Sequence, residues 1–163
     1  MRRNIPSGSI DRRRAMLVLG GGGLALVALR PVAAGERDWP SYQEALREIA
    51  GERAANPGRI SLELPKIAET GNSVPITVRV DSPMTPEDHV ARIHVLSKGN
   101  PRPNVASFHL GPRAGRAEVS TRIKLSRTQQ VVGLAEMSDG SLWQTEASIV
   151  VTQGACVEDI WTD

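Results

Sequence analysis

Alternation of apolar and polar residues is the main pattern of the chain from residue 59 onward. In residues 74–80 every second residue is valine or isoleucine, and proline, threonine and arginine lie between them. Residues 60–64 alternate in the same way, and both patterns predict β-strands with one buried face. Further strands are predicted at residues 90–96, 105–110, 116–125, 129–137 and 142–152.

The residues between these strands predict turns. Asp139 and Gly140 separate the last two strands and predict a tight hairpin, because glycine tolerates the positive φ that such turns need. Residues 81–86 and 99–103 contain prolines, which cannot continue a hydrogen-bonded ladder, so both segments are predicted loops. Seven short strands joined by turns favour an all-β fold, an immunoglobulin-like β-sandwich.

A short helix is predicted before the strands. Ser41 is placed to cap it, and Glu44, three residues later, completes a capping box. Apolar residues then recur at helical spacing, which predicts a helix over residues 42–55. The sequence Asn-Pro-Gly at residues 56–58 is expected to end it.

The first 34 residues have the features of an export signal. Three arginines at residues 12–14 precede an uncharged stretch over residues 15–29, a pattern typical of a twin-arginine signal peptide. The stretch contains four consecutive glycines and is shorter than the roughly 20 apolar residues of a membrane-spanning helix. Small residues at 32–34 suit a signal peptidase. We therefore expect a periplasmic mature protein that begins near residue 35 and keeps no membrane anchor.

Three segments follow from these patterns: residues 1–34 as signal peptide, 35–152 as helix plus sandwich, and 153–163 as a flexible C-terminal arm. The first segment contains six arginines and one aspartate, so the remainder keeps fourteen basic and seventeen acidic residues, a net charge of −3. Nucleic-acid binding needs a basic stripe or patch, and this charge balance excludes it. We expect no cofactor.

Cys156 is the only cysteine of the chain, and it lies in the predicted arm. A lone thiol cannot form an internal disulfide. In an oxidising compartment it pairs with another molecule, carries a group covalently, or stays free and exposed to oxidation. Cys156 is therefore the candidate residue for covalent chemistry.

Four segments carry a resemblance to a known family. They are residues 67–76 (IAETGNSVPI), 80–85 (VDSPMT), 100–103 (NPRP) and 137–141 (MSDGS). Together with the export signal and the terminal cysteine, they resemble SoxY, the periplasmic carrier subunit of bacterial thiosulfate oxidation. The resemblance implies an immunoglobulin-like sandwich, a heterodimer with a SoxZ-like subunit, and sulfur intermediates attached to the arm cysteine, Cys156, while other enzymes load and unload it.

The arm departs from the family pattern, Gly-Gly-Cys-Gly-Gly. Here Gly154 and Ala155 precede Cys156, and Val157 and Glu158 follow it. This arrangement resembles a SoxY-related subgroup whose arm has an Ala-Cys-Ile-Glu type signature, with valine in place of isoleucine. The resemblance makes Cys156 the covalent attachment site, and we interpret the four residues around it as the sequence that partner enzymes recognise.

The residues after the cysteine change its expected chemistry. Glu158 and Asp159 place negative charge near the sulfur, so we expect them to raise the pKa of the Cys156 thiol and to repel an anionic adduct. Ile160 and Trp161 add an apolar pair suited to a partner surface. If the last strand ends near residue 152, an extended chain carries Cys156 about 13 Å from the sandwich.

The residues alone are consistent with two functions. The protein is a covalent carrier, or it is a binding module that docks through Ile160 and Trp161 with Cys156 as a small buried hydrophobe. An enzyme is not expected, because no nucleophile, base and orienting group recur at recognisable spacing. His89 and His109 lack metal-ligand spacing, and the strand alternation predicts that His94 faces solvent.

Overall fold

The computed structural model describes residues 40–155, which form one helix and nine strands. A single 3₁₀ turn, Pro112–Ala114, joins two of the strands. The predicted signal peptide and residues 156–163 lie outside the described residues. The elements are α1 Tyr42–Ala50, β1 Ala55–Pro57, β2 Ile60–Glu63, β3 Ile67–Thr70, β4 Val74–Val80, β5 Val90–Ser97, β6 Asn104–His109, β7 Ala117–Ile123, β8 Gln129–Met137 and β9 Leu142–Gln153.

The strands form two sheets that pack face to face. The larger sheet has the order β1-β9-β8-β5-β6, with β3 also paired to β9, and the smaller sheet has the order β2-β4-β7. Both sheets are built from antiparallel pairs, except that β1 and β3 run parallel to β9. This arrangement confirms the predicted all-β, immunoglobulin-like sandwich with one short helix.

The core lies between the inner faces of the two sheets. Strand β4 shows the predicted alternation, since Val74, Ile76, Val78 and Val80 are all buried. They pack in one apolar cluster with inward residues of β5 and β8. Fully burying an aliphatic side chain of this kind stabilises a fold by about 1.5–3 kcal/mol, so this cluster is the main source of stability.

Helix α1 begins as predicted but ends five residues earlier. The Ser41 hydroxyl accepts from the Glu44 N–H at 3.3 Å, and the Glu44 carboxylate accepts from the Ser41 N–H at 2.6 Å. Gly51, with φ of 61°, ends the helix, and the Arg53 guanidinium donates to the carbonyls of its last two residues, Ile49 and Ala50. Glycine adopts this left-handed conformation without strain, which explains the early stop.

Strands β1 and β3 were not predicted. Both are short, and each adds a parallel partner to a different stretch of the long strand β9. Strand β3 turns only Ala68 toward the core and leaves Ile67 65% exposed, so its sequence has little of the alternation that identifies a strand. Pairing with β9, not burial, therefore defines these two strands.

The outer face of the larger sheet is partly covered by α1. Ala50 packs with Leu134 and Leu142 in a second apolar cluster, which also includes Leu46 and Ile49 of the helix. Strands β5 and β8 are consequently buried on both faces along most of their length. No helix within residues 40–155 is long and apolar enough to cross a membrane.

Candidate functional site

The structure describes two of the five residues assigned to the arm site. Gly154 and Ala155 follow the end of β9, whereas Cys156, Val157 and Glu158 lie outside the described residues. We therefore describe the two residues that precede Cys156 and the residues that they contact. We call this set the arm base: Gly71, Leu125, Ser126, Gly154 and Ala155.

Backbone hydrogen bonds hold the arm base in place. The Gly71 N–H donates to the Gln153 carbonyl at 2.7 Å, and the Leu125 N–H donates to the Gly71 carbonyl at 2.8 Å. The Ala155 N–H donates to the Leu125 carbonyl at 2.9 Å, and Ala155 is only 7% exposed. The chain is thus tied to the sandwich through Ala155, two residues beyond the end of β9.

Both glycines of the arm base are required by close packing. A β-carbon on Gly154 would overlap the Ser126 carbonyl oxygen, and one on Gly71 would overlap the Leu125 carbonyl oxygen and lie 2.9 Å from the Ala155 nitrogen. Neither glycine has a positive φ, so the requirement comes from space and not from backbone conformation. Gly154 therefore acts as a packing residue that lets the arm lie against the β7–β8 loop.

Asn100 joins the β5–β6 loop to the same β7–β8 loop. Its side-chain amide donates to the Lys124 carbonyl at 2.8 Å. Its side-chain oxygen accepts from the Ser126 N–H at 3.0 Å, the Ser126 hydroxyl at 3.2 Å and the Gln129 amide at 2.9 Å. One asparagine thus fixes the residues on which Gly154 and Ala155 rest.

Gln129 and Ser97 extend this network into the larger sheet. The Gln129 side-chain oxygen accepts from the Ser97 hydroxyl and from the Gly99 N–H, the latter at 2.8 Å. The Ser97 hydroxyl in turn accepts from the Asn100 N–H at 3.0 Å. The loop under the arm base is therefore bonded to the end of the buried strand β5.

The sequence analysis did not assign Gly71 or Asn100 to the site, and it placed Asn100 only in a predicted loop. Gly71 and Asn100 lie in two of the segments that carry the family resemblance, and that coincidence is the signal that could have selected them. Their role depends on contacts with Leu125, Ser126 and Gln129, which are distant in the chain. Local patterns do not reveal such contacts.

The anchoring shortens the expected reach of the cysteine. Consecutive Cα atoms lie about 3.8 Å apart, so Cys156 is joined directly to a residue that the sandwich holds by a hydrogen bond. The free span of about 13 Å, counted from a strand end near residue 152, is wrong, because β9 extends to Gln153 and Ala155 is both hydrogen-bonded and buried.

An open cleft of about 430 Å³ lies elsewhere, between α1 and the outer face of the larger sheet. Lys98 on its wall donates to Glu146 at 2.7 Å and to Gln130 at 2.9 Å, and its ammonium lies 5.6 Å from the centre of the Tyr42 ring. Burial raises the pKa of the Tyr42 hydroxyl. The lysine is already paired with an acid, so the cleft offers no free positive charge from this side chain.

The three histidines do not form a metal site. His89 contacts the Thr85 carbonyl at 3.0 Å, and His94 contacts the Ser107 hydroxyl at 2.8 Å. Within residues 40–155, no group of three or more His, Cys, Asp or Glu residues could hold a metal ion. The prediction that His94 faces solvent is wrong: it is 7% exposed, because the face of β5 opposite the core is also covered.

The buried His94 gives the fold an expected sensitivity to acid. Its Nε2 has no hydrogen-bond partner among residues 40–155, and burial lowers the pKa of the ring below 6.5. The unfolded chain then binds more protons than the folded one, so stability falls as pH drops from about 6.5 toward the folded pKa, by at most about 1.4 kcal/mol per pH unit. We expect His94→Gln to reduce the change in the free energy of unfolding between pH 5 and 7, as measured by urea unfolding. His109→Gln, at an exposed position, should keep the pH dependence of the natural sequence. Equal slopes in all three proteins would contradict this assignment.

Comparison with known proteins agrees with the sandwich fold. The model of the family described as sulfur oxidation protein SoxY matches residues 46–156. The solved structure of the sulfur carrier protein SoxY from Chlorobium limicola f thiosulfatophilum is 29% identical, with a TM-score of 0.57, over 68% of this chain and 94% of that one. The search of curated proteins gave no match.

Superoxide reductases share the fold at lower identity. The enzyme from Ignicoccus hospitalis is 16% identical, with a TM-score of 0.52, over 58% of this chain and 80% of that one. The enzyme from Nanoarchaeum equitans is 14% identical, with a TM-score of 0.50, over 59% of this chain and all of that one. These likenesses concern the sandwich alone. The family match spans more than half of the sequence and includes the arm base, and the chain therefore belongs to the SoxY family of sulfur oxidation proteins.

Proposed function

We propose that this protein is a sulfur carrier that holds a sulfur intermediate covalently on Cys156 and presents it to partner enzymes. Family membership and the likeness to a sulfur carrier structure support the carrier role. The observation that carries the assignment of the site is the arm base. Two glycines without room for a side chain and a hydrogen-bonded Ala155 hold the chain against the sandwich up to the residue before the only cysteine.

The chemistry of attachment assigns separate roles to the carrier and its partners. Joining the Cys156 sulfur to the sulfur of a second compound removes the thiol proton and two electrons. We assign the acceptance of these electrons to the enzyme that loads the carrier. The carrier itself supplies the thiol, and Gly154, Ala155, Val157 and Glu158 are the residues that loading and unloading enzymes recognise. In this proposal the chain has no catalytic role of its own.

Heterodimer formation with a SoxZ-like subunit is part of the proposal. Among residues 40–155, the strands β6 and β7 each pair on one side only, so each leaves a row of backbone groups open at the edge of its sheet. A second sandwich that covers such an edge would protect it from unspecific pairing. Export by the twin-arginine pathway would place the pair in the periplasm, where a lone thiol is exposed to oxidation.

Substitution of the cysteine tests the carrier function. We expect Cys156→Ser to abolish sulfur oxidation when it replaces the natural protein in the source cells, since the hydroxyl cannot form the sulfur bond. Val157→Ile, which restores the residue of the related arm signature, is the matched control and should retain activity. Full activity of Cys156→Ser and Cys156→Ala would instead support the binding module, in which Ile160 and Trp161 dock on a partner.

A further inference from the structure

His94 is a buried titratable side chain on the outer face of the larger sheet. In the strand register it lies opposite Leu134 of β8 and Ser107 of β6. Leu134 packs with Ala50 of α1, and α1 also contacts β5. His94 is only 7% exposed, although Ser107 beside it is exposed. Among residues 40–155, helix α1 is therefore the element that covers this histidine.

The hydrogen bonds of the His94 ring decide where a second proton binds. The Ser107 hydroxyl donates to the Asn104 side-chain oxygen at 3.3 Å and lies 2.8 Å from Nδ1 of His94. Because the hydroxyl hydrogen is directed to Asn104, the hydroxyl accepts from the Nδ1–H, and Nε2 of the neutral ring carries no proton. Protonation therefore occurs at Nε2, which is buried and has no hydrogen-bond partner in the described part of the chain.

The charged groups around His94 do not compensate a positive ring. Glu136 of β8 is the acid that favours it, but this carboxylate is paired with Arg53 at 2.7 Å and with Arg92 at 3.3 Å. Arg92 of β5 and His109 of β6 disfavour a positive ring. Burial has the largest effect and lowers the pKa of His94. The protonated ring is therefore unfavourable as long as the helix covers it.

Helix α1 is a small element that can open separately from the sandwich. It has nine residues, and its buried side chains are Ala45 and Ala50, which bring no charge to His94. The Arg53 guanidinium, which follows the helix, ties its end to the Glu136 carboxylate. Terminal elements with few buried side chains open at a lower free energy than core strands. Opening of α1 is therefore the smallest change that admits water to the ring.

We propose that protonation of His94 releases helix α1 from the larger sheet, so that α1 is an acid-sensitive strap. A proton on Nε2 creates a buried charged donor without an acceptor, which is more costly than an unpaired neutral group. Release hydrates the ring and uncovers Leu134 and Leu142, which are buried in the cluster with α1. The inference goes beyond the proposed carrier function and does not depend on it.

The release of α1 has a defined pH window. In the open state His94 is hydrated and has an ordinary pKa of about 6.5, whereas burial lowers this pKa in the closed state. The closed state therefore keeps its full stability above pH 6.5 and loses it as the pH falls toward the lowered pKa. Within that window the equilibrium constant for opening rises by at most about tenfold per pH unit.

Hydrogen exchange of the full chain between pH 5 and 7.5 tests the strap. Mass spectrometry compares the amides of α1 with those of β4 in the smaller sheet, with exchange times scaled to the intrinsic rate at each pH. His94→Gln and His94→Leu are the test variants, since neither side chain titrates. His109→Gln is the matched control, because His109 is exposed and has the smallest effect on the His94 ring. Arg53→Gln removes the tie to Glu136 and should raise exchange of α1 even at pH 7.5.

We expect the protection of the α1 amides to fall by up to about tenfold per pH unit below pH 6.5 and to be lower than that of β4 at every pH. The fall should persist in His109→Gln and disappear in both His94 variants. Equal protection of α1 and β4 would show that the helix opens only with the whole fold and would overturn the proposal. Protection of α1 that is independent of pH, or that falls equally without His94, would overturn it as well.

Discussion

Gly71→Ala is expected to lower the free energy of unfolding by about 3 kcal/mol and Tm by roughly 10 °C. The added β-carbon would overlap the Leu125 carbonyl oxygen and lie 2.9 Å from the Ala155 nitrogen. Backbone atoms cannot rotate away as a flexible side chain can, so the β7–β8 loop and the arm must separate. The same reasoning applies to Gly154→Ala, whose β-carbon would overlap the Ser126 carbonyl oxygen.

Gly111→Ala is the matched control for both substitutions. Gly111 has φ of −157°, which any residue adopts, and no atom lies within 4 Å of an added β-carbon. Its replacement should leave Tm unchanged or slightly raised, since alanine restricts the unfolded chain. Thermal unfolding followed by circular dichroism compares the variants. A Tm for Gly71→Ala equal to that of Gly111→Ala would show that the arm base is not packed as described.

Asn100→Ala is expected to destabilise the protein by about 2–3 kcal/mol, because it removes four hydrogen bonds and leaves half-buried polar groups of Ser126 and Gln129 without this partner. The loss is centred under Gly154, so we also expect faster hydrogen exchange at the Ala155 and Ser126 amides. Asn100→Asp keeps the accepting oxygen but places a second oxygen against the Lys124 carbonyl, so it should be less stable than the natural sequence as well.

Asn104→Ala provides the comparison for this network. Asn104 is exposed and accepts one hydrogen bond, from the Ser107 hydroxyl at 3.3 Å. Its removal should lower the free energy of unfolding by less than about 1 kcal/mol. Urea unfolding measures both values. If Asn100→Ala is no more destabilising than Asn104→Ala, the loop under the arm base does not depend on this asparagine.

The sandwich is predictable from the sequence because a strand with one buried face has an apolar residue at every second position. Residues 74–80 show that period without interruption, and the structure places them in the centre of the smaller sheet. Strands β1 and β3 lack it, since their pairing with β9 and not burial defines them. The prediction for His94 was wrong because both faces of β5 are covered by other elements. The alternation within one strand does not show whether its second face is covered.

The candidate site is predictable only in part. Cys156 and its neighbours stand out in the sequence because the chain has a single cysteine. The anchoring of Ala155 and the space limits at Gly71 and Gly154 depend on the β7–β8 loop, which neither glycine's local sequence includes.

The mass of the protein isolated from its source cells during oxidation of a reduced sulfur compound tests the carrier assignment most directly. Intact-mass spectrometry is performed without reductant, again after treatment with a thiol reductant, and on Cys156→Ser prepared in the same way. We predict a sulfur-containing adduct on Cys156 that the reductant removes and that the serine variant lacks. Protein that retains its unmodified mass throughout active sulfur oxidation would contradict the assignment of Cys156 as a carrier site.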